Sequence, residues 1–292
     1  MKLLVTGAQG MLGRDLVHEL AVGGHLVTAT DVASPATCLD ITNPLAVRAC
    51  LLKEKPRWVV NCAAFAKVDA CEEQEDLATR INGDAPGYLA AVCADLGIRL
   101  AHISTDYVFD GTKSGPYRED DPTNPINAYG RSKLKGEESI AQRMDDYVII
   151  RTQWLFGLGG PNFVATILAL AKEKPSIDVV YDQFGCPTYT KDLAKAIRLL
   201  IENDVRGTYH VCNRGKASWY DLAKKTLEFA GLSTQINPVT TDNFPRPAKR
   251  PPNSVLSSMK FTDATGKLMP IWPAALQGYL QSHLTKGPNP SE

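Results

Sequence analysis

Apolar residues follow two rhythms through the first half of the chain. Short unbroken runs, KLLVT (2–6), HLVTATD (25–31), RWVVNCAA (57–64), IRLAHIS (98–104) and YVIIR (147–151), read as strands buried on both faces. Between them, apolar positions fall at helical spacing. Leu12, Leu16 and Leu20 share one face of 10–22, and a second helix covers 44–54, ending before Pro56. Further helices are expected at 74–96 and 127–144. This alternation predicts an α/β fold, a doubly wound parallel sheet with helices on both faces.

After Gly157 the pattern loosens. Helices are expected at 161–173, 191–203, 218–230 and 273–284, with strands at 177–181 and 207–213. A Pro-rich stretch occupies 238–252, and the tail 286–292 is expected to fray. The division that follows is a first domain over 1–155, with segments of 177–213 returning to it. A smaller C-terminal lobe takes 156–176 and 214–292.

Bulk properties narrow the function. The 292 residues are 44% apolar and 22% charged, and 32 Lys and Arg balance 32 Asp and Glu. A neutral balance gives no footprint for nucleic acid or an anionic membrane. No apolar run approaches the ~18 residues of a membrane helix. The start reads as no signal peptide, so a cytoplasmic location is expected. The cysteines, at 38, 50, 62, 71, 93, 186 and 212, are scattered without a C-x-x-C. They read as reduced, mostly buried thiols rather than disulfides or zinc ligands.

Chemistry enters with VTGAQGMLGRDL, which sets Gly7, Gly10 and Gly13 between the first strand and first helix. Glycines there let backbone N–H groups approach a pyrophosphate at a helix N-terminus. The spacing is G-x-x-G-x-x-G rather than the commoner G-x-G-x-x-G; placed between a strand and an amphipathic helix it reads as the nucleotide-binding loop of a Rossmann-type fold, the alternative being an ordinary Gly-rich βα turn. Asp31 lies 18 residues past Gly13, where a carboxylate bonds an adenosine ribose hydroxyl. Its charge favours NADH over NADPH, while Arg14 offsets it, so both cofactors stay open. Asp40 follows an expected short third strand. It either contacts adenine or caps the helix near Pro44.

HISTDYVFDG (102–111) ends a central strand, at the rim where open α/β sheets hold their chemistry. NAYGRSK (127–133) then sets Tyr129 and Lys133 one helical turn apart. Glycine loop, S-T-D-Y-V-F-D-G and Tyr-x-x-x-Lys, in that order, resemble the extended short-chain dehydrogenase/reductases. RTQWLFG (151–157), NF (162–163), DQFGCPTYTKDLA (182–194), GTYHVCN (207–213) and RPAKRPPNSVLSSMKF (246–261) narrow this. Over nearly its full length the chain resembles the dTDP-4-dehydrorhamnose reductase family.

That resemblance implies an NADPH- or NADH-dependent oxidoreductase that reduces the C4 ketone of a dTDP-6-deoxy-4-keto hexose, in nucleotide-sugar and polysaccharide biosynthesis. Tyr129 is the implied general acid. A free phenol titrates near pH ~10, and Lys133 would lower it and bond the nicotinamide ribose. Thr105 would donate to the ketone oxygen. Met11, Leu12, Ile41, Ala63, Ala64 and Phe65 join the glycines, Asp31 and Asp40 in the implied cofactor set. Asp106 and Trp154 are implied substrate contacts, although a Trp at that point also reads as core. Asn82 marks either a helix kink or a helix N-cap. Arg250, Asn253 and Ser254 either hold the nucleotide diphosphate or connect the lobes.

Some members of this family are magnesium-linked dimers. Here Asp15 keeps one carboxylate position, but Lys191 stands where a Glu would be expected, so no bridging metal is expected. The chain is expected to act as a monomer or homodimer. Two other readings remain: a non-catalytic NADP-binding subunit resembling the methionine adenosyltransferase beta subunit, and a reductase or epimerase of another nucleotide sugar.

Overall fold

The computed structural model describes residues 1–34 and 36–286. The first half runs β1 (Lys2–Thr6), α1 (Met11–Val22), β2 (Leu26–Thr30), α2 (Pro44–Glu54) and β3 (Trp58–Asn61). Two short helices follow, α3 (Val68–Glu73) and α4 (Glu75–Ala78), then a π-helical turn (Thr79–Asp84) and α5 (Ala85–Leu96). Next come β4 (Arg99–Thr105), a 3-10 turn (Asp106–Val108), α6 (Ala128–Ala141) and β5 (Tyr147–Thr152). Beyond it lie β6 (Leu155–Phe156), α7 (Phe163–Glu173), β7 (Ser176–Val180), β8 (Phe184–Gly185), β9 (Thr188–Tyr189), α8 (Thr190–Glu202) and β10 (Gly207–His210). The chain continues with β11 (Ala217–Ser218), α9 (Trp219–Ala230), β12 (Gln235–Val239), α10 (Met259–Thr265) and α11 (Trp272–Lys286). The tail expected to fray lies, past Lys286, outside the described residues.

The central sheet is six-stranded, ordered β10-β5-β4-β3-β1-β2, and every pairing in it is parallel. Alternation along β1 serves both faces. Leu3 and Val5 pack with Leu12, Leu16 and Leu20 of α1 and with Leu193 and Ile197 of α8. Leu4 turns the other way, onto Val47 and Leu51 of α2, Leu89 of α5 and Ile140 of α6. The fold is therefore the α/β, doubly wound Rossmann-type sheet expected. A separate apolar cluster joins Phe156, Tyr189, Leu222, Leu276 and Tyr279 in the C-terminal half. Among the described residues, no helix is long and apolar enough to cross a membrane.

Three local expectations change. Of the 177–213 segment assigned to the main sheet, β10 joins β5, but β7 pairs with β12 in a two-stranded sheet. Ile177 and Val179 are buried while Asp178 is exposed. A strand apolar on one face does not suit a sheet covered on both. Among the described residues between β2 and Asp40 no strand forms: Thr37 O accepts the Asp31 N–H and Asp31 O accepts from Ser34 and Leu39.

The third change is the helix expected at 74–96, which breaks at the π turn. Pro86 has no N–H to bond the Asn82 carbonyl, so a regular α turn cannot close there. The freed carbonyl meets α6 at Gly136, where a Cβ would lie 2.2 Å from Asn82 O. Only glycine allows that approach, and it seats α6 against the turn.

Candidate active site

The glycine loop forms at the carboxyl end of β1. Gly7 adopts φ +66°, and a Cβ there would stand 2.6 Å from Ala63 N, while one on Gly13 would stand 2.2 Å from Gly7 O. Helix α1 begins at Gly10 with no side-chain cap and no acid in its first turn. Its leading N–H groups and dipole are thus left to an anion. Beside it lies a cavity of about 360 Å³, lined by Gly7, Gly10, Asp31, Asp40, Ile41, Ala63 and Ala64 among the expected residues. A loop side chain would fill this cradle, and its shape and donors fit a dinucleotide. Leu12 and Gly13 are buried under the loop, Met11 packs on Gly157 and Gly160, and Phe65 and Tyr129 pack against the same small cluster of Cys71, Ala78 and Ala128.

The two acids are both engaged. Asp31 accepts the Gln9 N–H at 3.0 Å and the Ala33 N–H at 2.9 Å, tying the glycine loop to β2. Asp40 accepts the N–H and hydroxyl of Thr42, at 2.8 and 2.7 Å. The cap on α2 is instead Asn43, whose Oδ1 accepts from Leu45 and Ala46. Arg80, on the π turn, lines the same cavity. No motif marks it, because the turn that carries it is set by Pro86 and α6.

Thr105, Asp106 and Tyr129 meet at the end of β4. The Thr105 hydroxyl donates to Asp106 Oδ1 at 3.0 Å and accepts the Tyr107 N–H at 3.2 Å. Asp106 is 2% exposed, and its Oδ2 has no partner at hydrogen-bond geometry. Burial pushes this carboxyl up to about 7, against the downward pull of the Ser254 and Thr105 hydroxyls. Tyr129 is half-buried, edge-on to Tyr107 with ring centroids 6.0 Å apart. Burial and then the Asp106 carboxylate push its phenol up, and a hydrogen bond with Thr105 opposes them.

The ammonium expected to lower that phenol points elsewhere. Lys133 Nζ donates to Ile103 O at 2.6 Å and lies 3.3 Å from His102 Nε2. Helix α6 packs closely on β4, so a side chain of this length meets the strand backbone. One turn on, Glu137 accepts Ser104 Oγ at 2.5 Å and pairs with Arg151 through Nε at 3.0 Å and Nη2 at 2.6 Å. Asn127 caps α6 by accepting the Gly130 N–H at 2.7 Å. Asn82 is no cap: its amide binds Phe65 and Ser132 from inside the π turn.

The substrate-side expectations separate. Trp154, at φ +47°, stacks on Trp219 with centroids 3.5 Å apart, so that face is taken by an aromatic partner. Arg250 is ion-paired with Asp69 at 2.5 Å, and the Asn253 amide donates to Lys113 O at 2.7 Å and Gly115 O at 3.1 Å. Both are thus tied into loop structure as well as lying at the expected substrate side. Ser254 lies beside Asp106 and 3.4 Å from Gln153 Oε1. Asp15 accepts the Thr190 hydroxyl at 2.5 Å, and Lys191 Nζ sits 5.9 Å from the Tyr189 ring. Among the described residues, no group of three or more His, Cys, Asp or Glu side chains is set to hold a metal. Sequence reasoning missed His102, Glu137 and Trp219, whose roles come from long-range packing.

A family model described as RmlD substrate binding domain matches residues 1–285. The spore coat polysaccharide biosynthesis protein SpsK of Bacillus subtilis (strain 168) is 45% identical over 280 residues, covering 96% of this chain and 97% of that protein. A dTDP-4-keto-6-deoxy-D-glucose reductase of Streptomyces niveus is 43% identical over 277 residues, covering 94% of each. A crystal structure of dTDP-4-dehydrorhamnose reductase from Bacillus anthracis str. Ames, in complex with NADP, matches with a TM-score of 0.93 at 37% identity. It covers 97% of this chain and 99% of that one.

Proposed function

This chain belongs to the RmlD substrate binding domain family, and from that premise we propose that it reduces the C4 ketone of dTDP-4-dehydro-L-rhamnose to dTDP-L-rhamnose with NADPH or NADH. The observation that carries this reading is the meeting of Tyr129, Thr105 and Asp106 at the end of β4, on the sheet edge that also bears the glycine cradle. The NADP held by the Bacillus anthracis relative supports a nicotinamide cofactor. Gly7, Gly10, Met11, Leu12 and Gly13 would hold its pyrophosphate, and Asp31 its adenosine ribose. When bound, this cofactor supplies the hydride.

The chain's own residues handle the oxygen and its proton. Burial keeps the Tyr129 phenol protonated, the form that can give a proton to the developing alkoxide. Thr105 orients that oxygen once its hydroxyl turns from Asp106. Asp106 titrates near neutral pH, so it too can present an O–H. A positioned donor of this kind contributes on the order of 10²–10³ in rate. Lys133 borders the nicotinamide ribose in this reading, and Trp154, stiffened by Trp219, closes the sugar side.

In this reading 1–155, with α8 and β10, form the cofactor domain, and 156–176 with 214–292 form the sugar lobe. The enzyme works as a monomer or homodimer in the cytoplasm, where its unpaired thiols remain reduced. The test is direct. Purified protein mixed with dTDP-4-dehydro-L-rhamnose and NADPH or NADH should lose nicotinamide absorbance with stoichiometric formation of dTDP-L-rhamnose. No oxidation of either cofactor, in protein shown to bind both, overturns the reading. A faster reaction with dTDP-4-keto-6-deoxy-D-glucose, the substrate in the Streptomyces niveus relative's name, reassigns the sugar.

A further inference from the structure

Behind the ketone side, a second polar chain crosses the sheet. Thr6 Oγ1 donates to Asn61 Oδ1 at 2.6 Å, Asn61 Nδ2 lies 3.0 Å from His102 Nδ1, and His102 Nε2 lies 3.3 Å from Lys133 Nζ. All four side chains are at most 2% exposed. Water is therefore not at hand, and each polar atom must be satisfied by the next.

Donor counting fixes the hydrogens. The Ala63 N–H, which can only donate, lies 3.2 Å from Asn61 Oδ1. That sets the amide, with Oδ1 accepting and Nδ2 turned to His102 as donor. His102 Nδ1 is then an acceptor, and the neutral ring carries its one proton on Nε2. The atom facing this N–H is Lys133 Nζ. An ammonium would oppose N–H with N–H, whereas an amine offers its lone pair and still donates to Ile103 O.

We propose that His102 draws Lys133 toward the uncharged amine in the cofactor-free protein, which makes His102 a positioning residue for the Tyr129–Lys133 pair. This rests on the reading of that pair as the active site. The neighbours of Lys133 agree. Glu137, one turn along α6, favours an ammonium, but its carboxylate is held by Nε and Nη2 of the Arg151 guanidinium. Cys62, after β3, is pushed up to about 12 by burial and stays a neutral thiol. Burial pushes Lys133 itself down to about 8, and pushes His102 well below its ordinary value, so the ring does not take the proton instead. The smaller the ammonium share at Lys133, the less it lowers the neighbouring phenol, and Tyr129 keeps the proton that ketone reduction needs more firmly.

The test is ¹⁵N and ¹³C NMR of cofactor-free protein labelled at histidine and lysine, with Lys133→Met used for assignment. His102 should show an unprotonated Nδ1 and a protonated Nε2. The Lys133 Cε resonance should titrate at least about one pH unit below the ~10.4 of an ordinary lysine. In Asn61→Asp the carboxylate can only accept, so the ring should switch to Nδ1–H and the Lys133 midpoint should rise by more than one unit. A wild-type Nδ1–H tautomer, or a wild-type Lys133 midpoint at the ordinary value, overturns the proposal even if Asn61→Asp does not fold. A folded Asn61→Asp that leaves the tautomer unchanged also overturns it. None of these signals needs turnover, so failure of the sugar assay leaves them independently readable.

Discussion

Asn82 clips the backbone of Phe65 from both sides, accepting its N–H at 2.8 Å and donating to its carbonyl at 3.0 Å. The same amide nitrogen reaches Ser132 Oγ at 3.0 Å, so a single side chain joins the end of β3 to the helix bearing Tyr129. Asn82→Ala strands both backbone groups of Phe65. It should lower the unfolding free energy by about 2–3 kcal/mol and weaken cofactor binding. Urea unfolding and a cofactor titration check the two effects separately.

Tyr129→Phe removes the phenol oxygen and leaves the ring against Tyr107. Turnover should fall by at least about 10²-fold, with cofactor affinity within a factor of about two of the starting protein. Stopped-flow reduction and equilibrium titration measure these. Wild-type turnover in the variant would remove Tyr129 from the proton-donor role.

Asp106 makes stability pH-dependent. Its folded value, near 7, lies above the ordinary 3.8, so the folded state holds the proton more tightly than the unfolded chain. That contribution is complete below about pH 4 and is lost as pH rises through about 7, by about 4 kcal/mol in total. Asp106→Asn should match the wild type in urea midpoint near pH 4 and exceed it at pH 8. Equal midpoints at pH 8 would show the carboxylate is not strained there.

The Asp69–Arg250 pair ties the Pro-rich loop to α3, and the Arg250 guanidinium with the Ala248 N–H holds the Asp69 carboxyl below its ordinary range. Arg250→Gln and Asp69→Asn should each cost about 1 kcal/mol, and the double variant little more than either alone. A double-mutant cycle in urea reads this coupling. The KM for sugar nucleotide separates it from a diphosphate contact, since only Arg250→Gln should raise KM if that contact exists.

Asp31 and Arg80 line the same cavity with opposite charges. Asp31→Ala should raise the ratio of kcat/KM for NADPH over NADH about tenfold, equivalent to ~1.4 kcal/mol of relieved repulsion. Arg80→Ala should lower that ratio. Steady-state kinetics with both cofactors measure each change, and an unmoved ratio in both variants would place the 2′ position elsewhere.

Much of this molecule is written in local pattern. The apolar runs and the 3.6-residue spacing of Leu12, Leu16 and Leu20 specify a strand buried on two faces and the helix that covers it. The glycines at 7, 10 and 13 and the Tyr129–Lys133 spacing were equally legible, because a tight turn and a shared helix face are short-range geometry. One-sided burial in 176–180 was there to be read too, in the polar Asp178 between Ile177 and Val179.

Partner choice belongs to the tertiary structure alone. Periodicity states which face of an element is buried, not what it is buried against. That is why Lys133 faces His102 and Ile103, 31 and 30 residues away, rather than the phenol a turn earlier. It is also why Arg250 answers Asp69 across 181 residues, and why Trp154 rests on Trp219. The sequence by itself determined the fold, the glycine cradle and the order of the candidate catalytic groups. Packing decided their protonation, since burial and the nearest donor set a side chain's charge, and both exist only once distant segments meet.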